Sequence, residues 1–143
     1  MNNHITWLKA TAIVQILTGL VHAMSFLAKP SPQNDEEKQL FTLVENYVFD
    51  MGAGFHRTMG DLISVLSAHF SLAFILAGLI NWFLATQRAP IGILKGVIGI
   101  NLLIFGISAI LNVLLAFLPP ITLTVITFLL VIVTRISLSK QPA

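Results

Sequence analysis

The chain has 143 residues, of which 56% are hydrophobic and only 10% charged, with no cysteine and a formal net charge of +2. A soluble domain carries about 25% charged residues, so this composition excludes an ordinary soluble globule and predicts one polytopic membrane domain over residues 1–143. Disulfides, iron–sulfur ligation and a cysteine nucleophile are excluded, and the scattered basic residues make no nucleic-acid patch.

Four spans are expected, each near the ~20 residues needed to cross a bilayer. The first is Trp7–Ala28. It is too long for the apolar part of a signal peptide and carries a polar stripe, so it reads as a retained helix. Thr11, Gln15, Thr18, His22 and Ser25 follow one another at steps of four, three, four and three. On a helix these steps form one narrow line, which in a membrane faces other helices, a cavity or a ligand.

A loop over residues 29–57 follows. Asn34 can cap a helix whose first turn holds Asp35, Glu36 and Glu37. Leu40, Phe41, Val44, Tyr47 and Val48 recur at helical spacing opposite polar residues, which predicts an amphipathic helix over 35–49, lying on the outer surface or capping the spans. Asp50-Met51-Gly52-Ala53-Gly54 ends it and allows a sharp turn into the next span.

The second span is expected at Thr58–Ala85, with Gly60, Ser64, Ser67, Ser71, Phe74, Gly78, Asn81 and Ala85 on one line. The third, Ile91–Phe117, has two faces. One holds Gly92, Gly96, Gly99 and Gly106, and the other Asn101, Ser108 and Asn112. Pro119 and Pro120 are expected to break the chain before the fourth span, Ile121–Leu138, whose line is Pro120, Thr124, Thr127, Val131 and Thr134. Repeated small and hydroxylated residues at a period of 3.5 predict a four-helix bundle with left-handed packing. The glycine face of the third span is a candidate surface for a homo-oligomer or a larger membrane complex.

Charge sets the orientation. Lys9, Arg88, Lys95, Arg135 and Lys140 fall on one side with no acid, whereas all 6 acids fall on the other, between residues 29 and 61. The positive-inside rule then places both termini inside and the long loop outside.

Ionisable groups within spans are functional candidates by default. His22, Asp61 and His69 are expected at similar depths in the outer half, where Ser25, Ser108, Asn112 and Thr122 also reach. Together these seven are the candidate ligand pocket. Asp61 has an alternative partner in Arg57, one turn earlier. Asp50, His56 and Arg57 are candidates for the outer membrane boundary, where lipid phosphates lie. His4 reads as part of the terminal tail. No close ligand spacing supports zinc, so no metal is expected. His22 and His69, on different spans, could supply two ligands to a haem.

The segment from Phe49 to Gly60 (FDMGAGFHRTMG), followed by His69, resembles the loop entering the second span of small four-helix bacterial membrane proteins of unassigned function. Gly19-Leu20-Val21-His22 resembles their Gly-x-x-His near the outer end of the first span. The resemblance covers roughly residues 22–85 and implies a bacterial cytoplasmic-membrane protein, with no activity attached. The residues themselves favour a protein that binds an apolar ligand with a polar head (a lipid, quinone or isoprenoid) or that joins a membrane complex. A membrane-embedded enzyme or haem protein using His22 and His69 is the alternative.

Overall fold

The computed structural model describes residues 3–27 and 31–141. Its elements in order are α1 (Asn3–Met24, continued by a 3-10 turn, Ser25–Leu27), α2 (Asp35–Asn46), β1 (Val48–Asp50), β2 (His56–Thr58), α3 (Met59–Thr86), α4 (Ile91–Leu115) and α5 (Leu118–Ser139). Four helices, all but α2, are long and apolar enough to cross a membrane, with mean hydropathies between 1.6 and 2.3. Ala28 and Lys29, the expected end of the first span and start of the loop, lie outside the described residues.

Local chemistry explains most boundaries. The Asn34 side chain accepts a hydrogen bond from the Glu37 amide at 2.8 Å and starts α2. That helix stops at Asn46, three residues earlier than its apolar spacing predicts, because residues 48–50 pair instead with 56–58 as an antiparallel hairpin. The hairpin was not expected. Its turn takes positive φ at Gly52 (79°), Ala53 (51°) and Gly54 (82°), which glycine tolerates at two of the three positions. Thr58 and Asp61 close a capping box at the start of α3.

Pro119 and Pro120 do not separate the last two spans as expected. They lie inside the first turn of α5, where an amide proton has no helical partner to lose. The break falls at Ala116–Phe117 instead.

Helix α1 packs against both α3 and α5, and α4 packs against α5. The tightest approach is between α1 and α3. A Cβ added to Gly78 would lie 2.7 Å from the Ala12 carbonyl oxygen, and one added to Gly19 would lie 2.7 Å from the Ser71 carbonyl oxygen. No side chain fits at either position without moving backbone, so these two glycines let the helices touch.

The glycine face of α4 has no such role within the chain. Nothing lies within 4 Å of a Cβ built on Gly92, Gly96 or Gly99, and only Gly106 meets a neighbour, the Phe128 ring at 3.1 Å. Helix α4 turns the line Leu94, Ile98, Asn101, Phe105 and Ala109 inward. Close packing through its glycines is therefore not made inside this chain, because a larger apolar line on the same helix occupies the interior.

The core runs through Leu8, Phe74, Leu94, Ile98, Phe105, Val131 and Leu138. Large apolar residues such as Leu66, Ile100 and Leu114 are exposed, as expected where lipid covers the surface. His4 is not in a free tail. It sits in the first turn of α1 and is 6% exposed. At the end of the molecule where α1 begins and α5 ends, Lys9 lies over the Trp82 ring, Lys95 Nζ donates to the Gln141 carbonyl, and Arg135 Nη1 donates to the Lys95 carbonyl.

Candidate functional site

Two polar layers arise from the stripes. The deeper one is built by three amides. Asn81 Nδ2 donates to Gln15 Oε1 at 2.8 Å and to Asn101 Oδ1 at 3.3 Å, and Gln15 Nε2 donates to Asn101 Oδ1 at 2.9 Å. Asn101 Nδ2 is held by the Val97 carbonyl of its own helix. The junction joins α1, α3 and α4 and leaves the buried Asn81 Oδ1 without a protein partner. Two threonine pairs join α1 to α5. Thr134 and Thr127 spend their protons on the carbonyls of Leu130 and Leu123. Each hydroxyl has one proton, so Thr11 must donate to Thr134 (2.8 Å) and Thr18 to Thr127 (3.4 Å). Every member of this layer except Asn81 Oδ1 is satisfied, and its chemistry is that of helix–helix attachment.

The second layer lies nearer the end that carries α2. Here α1, α3 and the start of α5 diverge around a chamber of about 350 Å³. Its polar lining is Thr18, His22, Ser25, Ser67 and Thr124, and its apolar lining includes Val21, Phe70, Phe117, Pro119, Pro120 and Leu123. Thr124 is bound to the Pro120 carbonyl and Ser25 to the His22 carbonyl, each within its own turn. The His22 ring lies against Phe70 with centroids 4.5 Å apart, tilted by 55°. A neutral imidazole offers one donor and one acceptor, and a serine hydroxyl offers both. The chamber can therefore hold a carbonyl or hydroxyl group. Among the described residues, no Lys, Arg, Asp or Glu lines it.

The structure divides the seven expected pocket residues. His22 and Ser25 line this chamber. Ser108 lines a separate groove between α3 and α4. Asn112 Nδ2 is turned back onto the Ser108 carbonyl, and exposed Thr122 onto the Leu118 carbonyl. The Asp61 carboxylate accepts the Thr58 amide at 2.9 Å and serves the capping box at the exposed start of α3. His69 is exposed, with Nδ1 2.7 Å from the Val65 carbonyl, so it is held locally and does not line the chamber with His22.

The three boundary candidates belong to the hairpin. Asp50 Oδ1 accepts the Gly52 amide and stabilises the turn, and Asp50 and His56 face each other in register. Arg57 Nη1 donates to the His56 carbonyl, and its guanidinium lies over the Phe55 ring. Among the described residues, no three His, Asp or Glu side chains come together as a metal site.

Sequence reasoning placed Thr18 and Ser67 on stripes without assigning them to a pocket. It missed Phe70, which carries no polar signal. The chain matches no protein-family model, no curated protein and no solved structure. What the fold and site define is a class: a helical protein with four membrane-span-like helices and a buried amide junction beneath a chamber lined by one histidine.

Proposed function

We propose that this is a bacterial cytoplasmic-membrane protein that binds an apolar ligand with a polar head, the head resting in the chamber beside His22. In this reading α1, α3, α4 and α5 form a left-handed four-helix bundle, which the shared period of 3.5 supports. Both termini face inward, in keeping with the acid-free basic residues at that end. Helix α2 and the hairpin then lie at the outer surface. Phe41 and Val44 are the half-buried members of the apolar face of α2, while Leu40, Leu43 and Tyr47 stay exposed, which suits a helix at a lipid interface.

One observation carries the reading. A histidine is placed inside a span with its ring against Phe70, facing a space it shares with four hydroxyl-bearing residues.

The test is His22→Phe, read for co-purifying ligand and for thermal stability on one preparation. The expected result is loss of the ligand with the fold retained. Retention of ligand with a loss of thermal stability would make His22 a packing residue.

A second reading, docking onto another copy or a larger membrane complex, is supported by the open Gly92, Gly96 and Gly99 face, where a partner helix could approach closely. The redox alternative needs His22 and His69 around one group. His69 is exposed and does not line the chamber with His22.

A further inference from the structure

The chamber has a neighbour. Helices α3 and α4 are consecutive in the chain, yet their backbones stay apart and their side chains meet only in places, such as the rings of Phe74 and Phe105 and the amides of Asn81 and Asn101. Between them runs a groove of about 490 Å³, walled chiefly by apolar side chains such as Ala77, Ile80, Val97 and Ile104. Phe70 lines both spaces. Its ring touches His22 on the chamber side (4.5 Å) and Phe74 on the groove side (4.6 Å).

We infer that chamber and groove hold one molecule, a neutral amphiphile with a carbonyl or hydroxyl head and a single apolar chain, which passes Phe70 to lie between α3 and α4. The inference rests on the chamber being the head site. Three features carry it further.

The first is adjacency, since among the described residues the Phe70 ring alone is shared between the two spaces, which lie at successive depths from the α2 end of the spans inward. The second is length. From Phe70 to Ile80 the α3 wall covers ten residues of helix, or ~15 Å at 1.5 Å per residue. That is half of a ~30 Å hydrocarbon core, the depth of one leaflet's chains. The third is charge. A phosphate head would need a cation or several donors to leave water. The described chamber lining offers an imidazole and hydroxyl groups, which suit an uncharged head. One groove accommodates one chain, which selects against two-chain lipids.

Photolabelling of the full-length protein in detergent tests this. The probes are two long-chain fatty alcohols, one with a diazirine next to the hydroxyl and one with it midway along the chain. The first should label chamber residues such as Val21 and Leu123, and the second groove residues such as Ala77 and Ile104. Both labels should fall on adding unlabelled alcohol, and the corresponding alkyl phosphate should compete poorly.

His22→Phe should abolish groove labelling as well as chamber labelling, because one molecule makes both. Ile104→Trp, on the exposed lip of the groove, should weaken retention of the long-chain alcohol. It should leave a short-chain alcohol at the chamber unaffected. Ala77→Trp does the same from the facing wall, and folding of either variant is checked by circular dichroism.

Groove labelling that persists in His22→Phe would overturn the inference, since the groove would then only be wetted by detergent. Chamber labelling with the mid-chain label away from α3 and α4 would overturn it too. Equal competition by the alkyl phosphate would remove the neutral head. No chamber labelling by the head probe would instead refute the chamber as a binding site, a separate failure.

Discussion

Replacing Gly78 with alanine tests the α1–α3 contact on which the chamber depends. The new methyl would lie 2.6 Å from Ile16 Cγ1, 2.7 Å from the Ala12 carbonyl oxygen and 3.0 Å from the Ile16 amide nitrogen. Ordinary contact begins at 3.4 Å, so the Ala12 oxygen must retreat by the difference between 3.4 and 2.7 Å, about 0.7 Å. Two of the three obstacles are backbone atoms, so a side-chain rotation cannot relieve them.

Separating packed surfaces by 0.5–1 Å forfeits about a quarter to a half of each affected dispersion contact, and forcing an extra methylene into a filled core costs about 1–3 kcal/mol. Alanine returns up to ~1 kcal/mol through helix propensity. The net effect is a loss of about 1–2 kcal/mol. Gly99→Ala is the control, because nothing lies within 4 Å of its new methyl. It should be neutral or stabilising by up to ~1 kcal/mol.

The assay is unfolding of both variants in the same detergent, followed by circular dichroism. The two changes are chemically identical and should differ in sign. Equal stability of the two variants, or a more stable Gly78→Ala, would refute the close approach of α1 and α3. If Gly99→Ala alone lowers stability in a concentration-dependent way, the open face of α4 is occupied by another copy.

Asn81→Leu removes both amide bonds that Asn81 donates, so about 1 kcal/mol is lost at ~0.6 kcal/mol each. Thermal unfolding checks this, and an unchanged midpoint would mean the junction adds no stability. Thr58→Ala breaks the capping box at the start of α3 and should cost ~1 kcal/mol locally. The expected readout is faster hydrogen exchange in the first turn of α3, with the amides near Gly78 unaffected. For topology, single cysteines at Ser31 and Thr86, in a chain that has none of its own, should label from opposite faces of the membrane. Labelling from one face would refute the charge-based orientation.

Much of the fold was legible because helical periodicity belongs to one segment alone. The expected line on the second span contains Ser71, Phe74, Gly78, Asn81 and Ala85, all buried on α3. The line on the fourth contains Thr124, Thr127, Val131 and Thr134, all buried on α5. Thr11, Gln15 and Thr18 are buried on α1 in the same way. The capping residues Asn34 and Thr58 act through neighbours three positions away, so such contacts are also written locally.

The third span shows where this stops. Its sequence offers a glycine face and an asparagine face, and nothing local chooses between them. Helices α1, α3 and α5 made the choice by presenting partners to Leu94, Asn101 and Phe105. Likewise, Gln15, Asn81 and Asn101 stand on three separate stripes, and their meeting depends on how far each helix slides along the others. His22 stands on the polar stripe of its span, whereas His69 stands off the line of its own. The rotation of α3 puts Phe70 against His22 and turns His69 outward to the Val65 carbonyl.

Sequence alone determined the spans, the stripes and the caps, because each depends on residues within a few turns of one another. The tertiary structure decided which stripes meet, which glycines are crowded and where space remains. Those depend on the distance and rotation between helices, set by side chains far apart in the chain.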